Sequence, residues 1–181
     1  MIEDGIRRDV LPGKKPFKTF VNKIVLTILG RAIQVVSRQD EGMRREVGNW
    51  PDHYRFMMKI LPHGGCMCLQ NDTQGNLAYV GADEEFEKIA DMIYYIRNTE
   101  SAFLLFTAQS GIPKAYAEHR MSAKGDVAYS LSIVRCFNTV QTYVFPHFLA
   151  RRIMRRVPSI PIFQRYALRA RIYLLAVPFG I

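Results

Sequence analysis

Glu118, His119 and Arg120 stand side by side in the stretch AYAEHRMSAKGD, Ala115 to Asp126. A carboxylate, an imidazole and a guanidinium are the groups from which general acid–base catalysis is built. His63, followed three residues later by Cys66-x-Cys68, offers half of a soft metal site. Whether either cluster can work depends on the elements that carry it. Read as a strand, AYAEHRMSA alternates its side chains, so His119 joins Ala117, Met121 and Ala123 on an apolar face. Glu118 and Arg120 then point the other way with Tyr116 and Ser122. An acid–base pair needs hydrogen-bond reach, and adjacent strand positions deny it. The expectation is therefore a solvated Glu118–Arg120 pair and no catalytic residue. His119 is expected to face inward, satisfied by a carbonyl or water, or meeting the polar end of a ligand. The cysteines would share one strand face, and no second ligand pair completes the four that a closed zinc site takes. They read as small buried hydrophobes, and neither a metal nor a cofactor is expected.

The elements follow from periodicity. PFKTFVNKIVLTILGRAIQVVSRQ opens with Pro16, a residue favoured at a first helical position. Phe17, Val21, Ile24, Ile28, Ala32 and Val35 recur along it at helical spacing, which predicts one covered stripe. DEGMRREVGNWP reads as a linker or a second short helix. From Tyr54 the period changes to two. Apolar runs flank PHGG and NDTQGN, predicting three short strands joined by glycine-containing turns. On the first strand Tyr54, Phe56, Met58 and Ile60 share a face. DMIYYIRN predicts a fourth strand, TESAFLLFTAQSG a helix, and AYAEHRMSA a fifth strand. Asp126 is placed to cap the next helix, on which Tyr129, Ile133, Cys136, Phe137, Val140 and Val144 repeat up to Pro146. HFLARRIMRR predicts a further helix ending near Pro158.

Composition excludes several function classes. The 181 residues, 49% hydrophobic and 12% aromatic, suffice for one sizeable core rather than disorder. Three cysteines make no disulfide framework and point to a reducing cytoplasm. The apolar run Ile24 to Gly30 is far short of the roughly 20 residues that a bilayer crossing takes, so no span is expected. No phosphate-binding loop, dinucleotide fingerprint or nucleophile elbow occurs. The net charge of +9 is uneven: up to Asp126, 17 basic residues meet all 16 acidic ones, whereas the remainder holds eight arginines and no acid. An anionic partner is expected there. Arg151, Arg152, Arg155 and Arg156, then Arg165, Arg169 and Arg171, alternate with Phe148, Leu149, Ile153, Phe163, Tyr166, Tyr173 and Leu174. That pattern suits an anionic membrane surface, with a solvated helix or a subunit contact as the bland alternative. Nucleic acid is disfavoured, since no binding module accompanies the charge.

ADMIYYIRNTESAFLLFTAQ followed by HRMSAKGDVAYSLSIVRCF resembles the sterol carrier protein type-2 domain, over roughly residues 54 to 145. The likeness lies in a short helix bearing Phe103 and Phe106, a strand with Met121 and Ala123, a Gly125-Asp126 turn and a long helix. It implies an α+β fold: a twisted, mostly antiparallel five-stranded sheet covered by helices around an apolar tunnel, to which the N- and C-terminal helices, outside the likeness, are extra. The tunnel is expected to be lined by Phe56, Met58, Ile60, Met92, Tyr94, Phe103, Phe106, His119, Met121 and Phe137. Residues 1–50 would form a helical extension, 51–157 the carrier-like domain and 158–181 a basic amphipathic tail. The implied function is binding or transfer of a lipid-like molecule (sterol, fatty acyl or isoprenoid) without conversion. Two alternatives stand beside it: an enzyme or accessory subunit acting on a tunnel-bound lipid, and a dimerising module whose cavity is filled by its own side chains.

Overall fold

The computed structural model describes residues 16–72, 74–106 and 111–144, together with Ala170. Helix α1 (Pro16–Gln39) and the short α2 (Glu41–Val47) precede strands β1 (Arg55–Ile60), β2 (Gly65–Asn71) and β3 (Leu77–Gly81). A 3-10 turn at Glu84–Lys88 leads to β4 (Met92–Ile96), α3 (Thr99–Phe106) and α4 (Ile112–Ala117). Strand β5 (Met121–Gly125) and a 3-10 turn at Val127–Tyr129 then lead into α5 (Ser130–Val144). The five strands form one sheet in the order β3-β2-β1-β4-β5. Three neighbouring pairs are antiparallel; the central β1–β4 pair is parallel, with Met58 opposite Tyr94. The expected α+β class and mostly antiparallel sheet are both present.

Alternation sorts the side chains as predicted. Phe56, Met58 and Ile60 of β1, Met67 and Leu69 of β2, and Met92, Tyr94 and Ile96 of β4 enter the main core with α1, α2, α3 and α5. Met57, Cys66, Cys68 and Ile93 occupy the opposite face and are roofed by Phe86 of the Glu84–Lys88 turn. Lys59 on that side donates to Glu87 at 2.7 Å, and Tyr95 donates to the same carboxylate at 2.6 Å.

Helix α1 has the predicted bounds but a different buried face. Asn22, Leu26, Gly30, Ile33, Val36 and Ser37 are buried, whereas Phe17, Phe20 and Ile24 are exposed. The predicted stripe is covered only at its C-terminal end, at Ala32 and Val35. Two polar contacts select the face that docks: Asn22 Nδ2 donates to the Thr99 carbonyl at 3.1 Å, and Ser37 Oγ accepts from Leu77 N–H at 3.0 Å. Gly30 allows the Tyr79 ring to lie directly on the helix, where a Cβ would collide with it. By length and composition α1 can cross a bilayer, a property that the run Ile24 to Gly30 alone does not reveal. Its polar docking contacts make it part of this domain instead.

The predicted fifth strand is the main correction. Residues 112–117 form α4, with Pro113 in its first turn; residues 118–120 turn, and the strand begins only at Met121. Proline at the start of a helix uses a position whose N–H has no intrahelical partner. His119 closes the turn with φ 56°, and its N–H donates to the Tyr116 carbonyl at 3.0 Å. At the strand's far end Gly125 also has positive φ, and a Cβ there would strike the backbone of Asp91 and Met92. Asp126 Oδ1 then accepts from Ala128 N–H at 2.8 Å, which starts the chain into α5.

Candidate functional site

Helix α4, the β4–β5 edge and the first two turns of α5 enclose a groove of about 470 Å³. Ile112 and Met121, both nearly buried, form its floor with Tyr94, while Tyr116 and Leu131, both well exposed, form its rim. Ser130 and Val134 complete the lining. Apolar clefts of this size with few polar groups are the usual form of small-molecule sites.

The groove has one polar focus. Tyr94 Oη lies 2.7 Å from Ser130 Oγ and donates to the Ser130 carbonyl at 3.1 Å. Burial pushes the Tyr94 phenol above its ordinary range, and the Ser130 hydrogen bond only partly offsets this. The phenol therefore stays protonated at neutral pH. Phe56 holds the Tyr94 ring edge-on, with centroids 5.2 Å apart. The wall formed by α5 is fixed from behind: Trp50 Nε1 donates to Ser132 Oγ at 2.8 Å, and Ser132 donates to Glu46 at 2.9 Å. Glu46 also receives a bidentate pair from Arg135, and that hydrogen bonding holds its carboxyl below the usual range. Farther along α5, Tyr143 donates to Asp40 at 2.8 Å, and Asp40 caps α2 through Met43 N–H.

The predicted tunnel residues separate. Tyr94 and Met121 line the groove, and Phe106 lines a smaller pocket. Phe56, Met58, Ile60, Met92 and Phe137 are buried in the main core and line neither space. Phe103 is half-buried, with Lys18 Nζ 5.3 Å from its ring centroid. His119 is exposed rather than inward, because the turn replaces the strand whose alternation would have buried it. Glu118 and Arg120 form the expected surface ion pair at 2.8 Å. Arg151, Arg152, Arg155, Arg156, Arg165, Arg169 and Arg171 lie outside the described residues. Ile112, Tyr116, Ser130, Leu131 and Val134 were not singled out from sequence as site residues. Proline two positions after Gly111 was the available signal for the helix that carries two of them.

Cys66 and Cys68 share the outer sheet face as buried free thiols. The Cys66 side chain beside it, together with burial, pushes the Cys68 thiol up. Cys66 moves the other way, lowered by its hydrogen bond with Cys68 against its own burial. Among the described residues no group of three or more His, Cys, Asp or Glu side chains converges as a metal site.

Solved structures similar to this chain include three sterol-carrier-protein domains. One is "UbiJ-SCP2 Ubiquinone synthesis protein", at 12% identity and TM-score 0.44, covering 69% of this chain and 99% of its own. The second is sterol carrier protein domain 2 of Helicoverpa armigera, at 15% identity and TM-score 0.40, covering 79% and 93%. The third is Sterol Carrier Protein 2 Like 2 from Aedes aegypti, at 15% identity and TM-score 0.31, covering 56% and 94%. No family model matches the sequence, and no curated protein does.

Proposed function

We propose that this chain binds an apolar, lipid-like molecule in the groove between α4, β4–β5 and α5, and releases it unchanged. The observation that carries the reading is the groove's lining: aliphatic and aromatic side chains around the hydrogen-bonded Tyr94–Ser130 hydroxyls, with the Tyr116 phenol at the exposed rim. Such a site recognises the shape of a hydrocarbon body and orients one oxygen of it. Catalysis is poorly served, since Tyr94 is held protonated and, among the described residues, no imidazole or carboxylate lines the groove beside Ser130. Fatty acyl, sterol and isoprenoid bodies are the ligand classes to try. Loading and release would take place at an anionic membrane, which the acid-free, arginine-rich sequence after Asp126 would attract. Free thiols at Cys66, Cys68 and Cys136 suit a cytoplasmic setting for that exchange.

The test is native mass spectrometry of the freshly purified chain, followed by titration with an environment-sensitive fatty-acyl probe. Bound lipid and saturable probe binding are expected. Met121→Trp, which fills the groove, should weaken probe binding about tenfold while the chain stays folded. No bound lipid and no probe binding to the parent chain would defeat the reading.

A further inference from the structure

Helix α1 leaves an apolar stripe open to solvent. Phe17 is 74% exposed, Phe20 62% and Ile24 42%, and spacings of three and four put them on one side of the helix. Ile28, one turn further on, carries the stripe into a half-open pocket of about 170 Å³. Leu29 of α1, Leu105 and Phe106 of α3 and Val144 of α5 are among its other walls. The two lysines of this half of α1 lie off the stripe: Lys18 is tied to Glu100 at 2.7 Å, and the Lys23 side chain passes beside Gly65. From Phe17 to Ile28 the apolar side runs for about 16 Å.

The chain leaves the described domain at this very place. Val144 is both the last residue of α5 and a wall of the pocket, and residues 145–181 follow it. Phe148 stands four positions beyond Val144, at most about 14 Å away along an extended chain. An apolar cavity of roughly 150 Å³ accepts a benzene-sized group, and a phenylalanine ring is one. In HFLARRIMRR, Leu149 and Ile153, then Ala150 and Met154, recur at helical spacing on the side away from the four arginines. Ten residues of helix measure about 15 Å, the length of the α1 stripe. Three exposed side chains are too little to hold a separate protein, since a stable interface takes roughly 800 Å² from each partner. A segment tethered at the pocket's lip needs far less, because its effective concentration is on the order of millimolar.

We infer that residues 148–154 of this chain dock on α1 in cis, the Phe148 ring filling the α1–α3–α5 pocket and Leu149 and Ile153 lying along Ile24 and Phe20. The contact gives α1 a use for both of its sides. Its Asn22–Ser37 side faces the sheet through polar anchors, and its Phe17–Ile28 side receives the returning chain. Docking by the apolar side leaves Arg151, Arg152, Arg155 and Arg156 together in water, where their charges cost nothing to keep. The arginines then form a patch fixed to the domain rather than a tail acting at the end of a tether. This surface shares no residue with the α4–α5 groove, so the two stand or fall separately.

The experiment is methyl-resolved NOE spectroscopy on the full chain. Cross-peaks are expected within one molecule from the methyls of Leu149 and Ile153 to those of Ile24, Val25 and Ile28. Ile153→Asp should abolish them, shift the methyls of Ile24 and Ile28, and let trypsin cut after Arg151 and Arg152 about tenfold faster. The methyls of Ile112, Leu131 and Val134 should stay in place, a sign that the domain and its groove are intact. If that variant fails to fold, Phe148→Ala serves instead, and should move the Leu105 and Val144 methyls and speed the same cleavage. A parent spectrum without the cross-peaks overturns the inference, as does unchanged cleavage in the variants. So do cross-peaks that arise only between copies in a mixture of differently labelled chains, which would assign the stripe to a second copy. Ile24 and Ile28 methyls that move only when anionic vesicles are added would overturn it too, in favour of a lipid surface.

Discussion

The two faces of the sheet solve the same packing problem by different means. On the inner face, Phe56, Met58, Met67, Leu69, Met92 and Tyr94 are covered by whole helices, and the polar groups among them are few and mostly paired. On the outer face a much smaller cluster, Met57, Cys66, Cys68 and Ile93, is roofed by one 3-10 turn. The Lys59–Glu87–Tyr95 hydrogen bonds fasten that turn. Thick cover leaves room between helices for cavities, whereas thin cover leaves none to spare and relies on ionised groups. The inner face should therefore dominate stability and ligand binding, and the outer face should be the one that answers to pH.

The largest effect is expected from Phe56→Ala, which removes a ring in edge contact with both Tyr94 and Phe137. It should cost about 3–5 kcal/mol in urea unfolding. Met57→Ala, its neighbour on the other face, should cost about 2–3 kcal/mol. A larger loss at Met57 than at Phe56 would reverse the ranking of the two faces. Next in size is a change that touches function alone. Tyr94→Phe should cost about 1 kcal/mol of stability and weaken an oxygen-bearing probe several-fold more than a pure hydrocarbon one. Equal weakening of both probes would remove the Tyr94–Ser130 pair from ligand recognition.

The outer face sets the pH response. Hydrogen bonds from Lys59 and Tyr95 hold Glu87 below the usual carboxylate range, so its contribution is present above the unfolded value and is lost as pH falls through the lowered one. Lys59 is raised, chiefly by its hydrogen bond to Glu87, and Tyr95 is pushed up to about 12, chiefly by burial. Both contribute fully below about pH 10 and lose that contribution as pH climbs through their folded values. Urea midpoints should accordingly be flat at neutral pH and fall at both extremes. Glu87→Gln should lower the plateau and flatten both limbs; limbs as steep as in the parent chain would free this cluster of the role. The smallest effect is expected at His119. His119→Gly should change stability by less than about 1 kcal/mol, the relief of its positive φ offsetting the backbone entropy of glycine. Probe binding should not change, and a loss of affinity would return His119 to the site.

Strand alternation was the most legible feature of the sequence. A period of two leaves no choice of face once one residue is placed, and β1 and β4 sort as read. Helix α1 was legible in extent but not in orientation. Apolar residues surround its first half, so periodicity could not choose between the Phe17–Ile24 side and the Leu26–Ile33 side. The choice fell to partners distant in sequence, Thr99, Leu77 and Tyr79. Residues 112–120 misled because AYAEHR alternates small and polar residues in a way that suits a strand, while six-residue α4 is too short to show a helical period. The groove inherits that error, since α4 supplies Ile112 and Tyr116.

The central parallel pairing has a kinetic consequence. Strands β1 and β2 join residues as close as Ile60 and Gly65, whereas β1 and β4 join Phe56 to Met92, 36 positions away. Short loops close at lower entropic cost, so the β1–β2 hairpin can form before the sheet acquires its middle. Tyr94, and with it the groove, is completed only when β4 crosses over to β1 and α5 docks. A ligand that recognises the groove then meets no binding-competent species until the final step. Its stabilisation should appear almost wholly as slower unfolding, with the refolding rate unchanged at any ligand concentration. A refolding arm of the chevron that accelerates with added probe would place the groove early in folding instead.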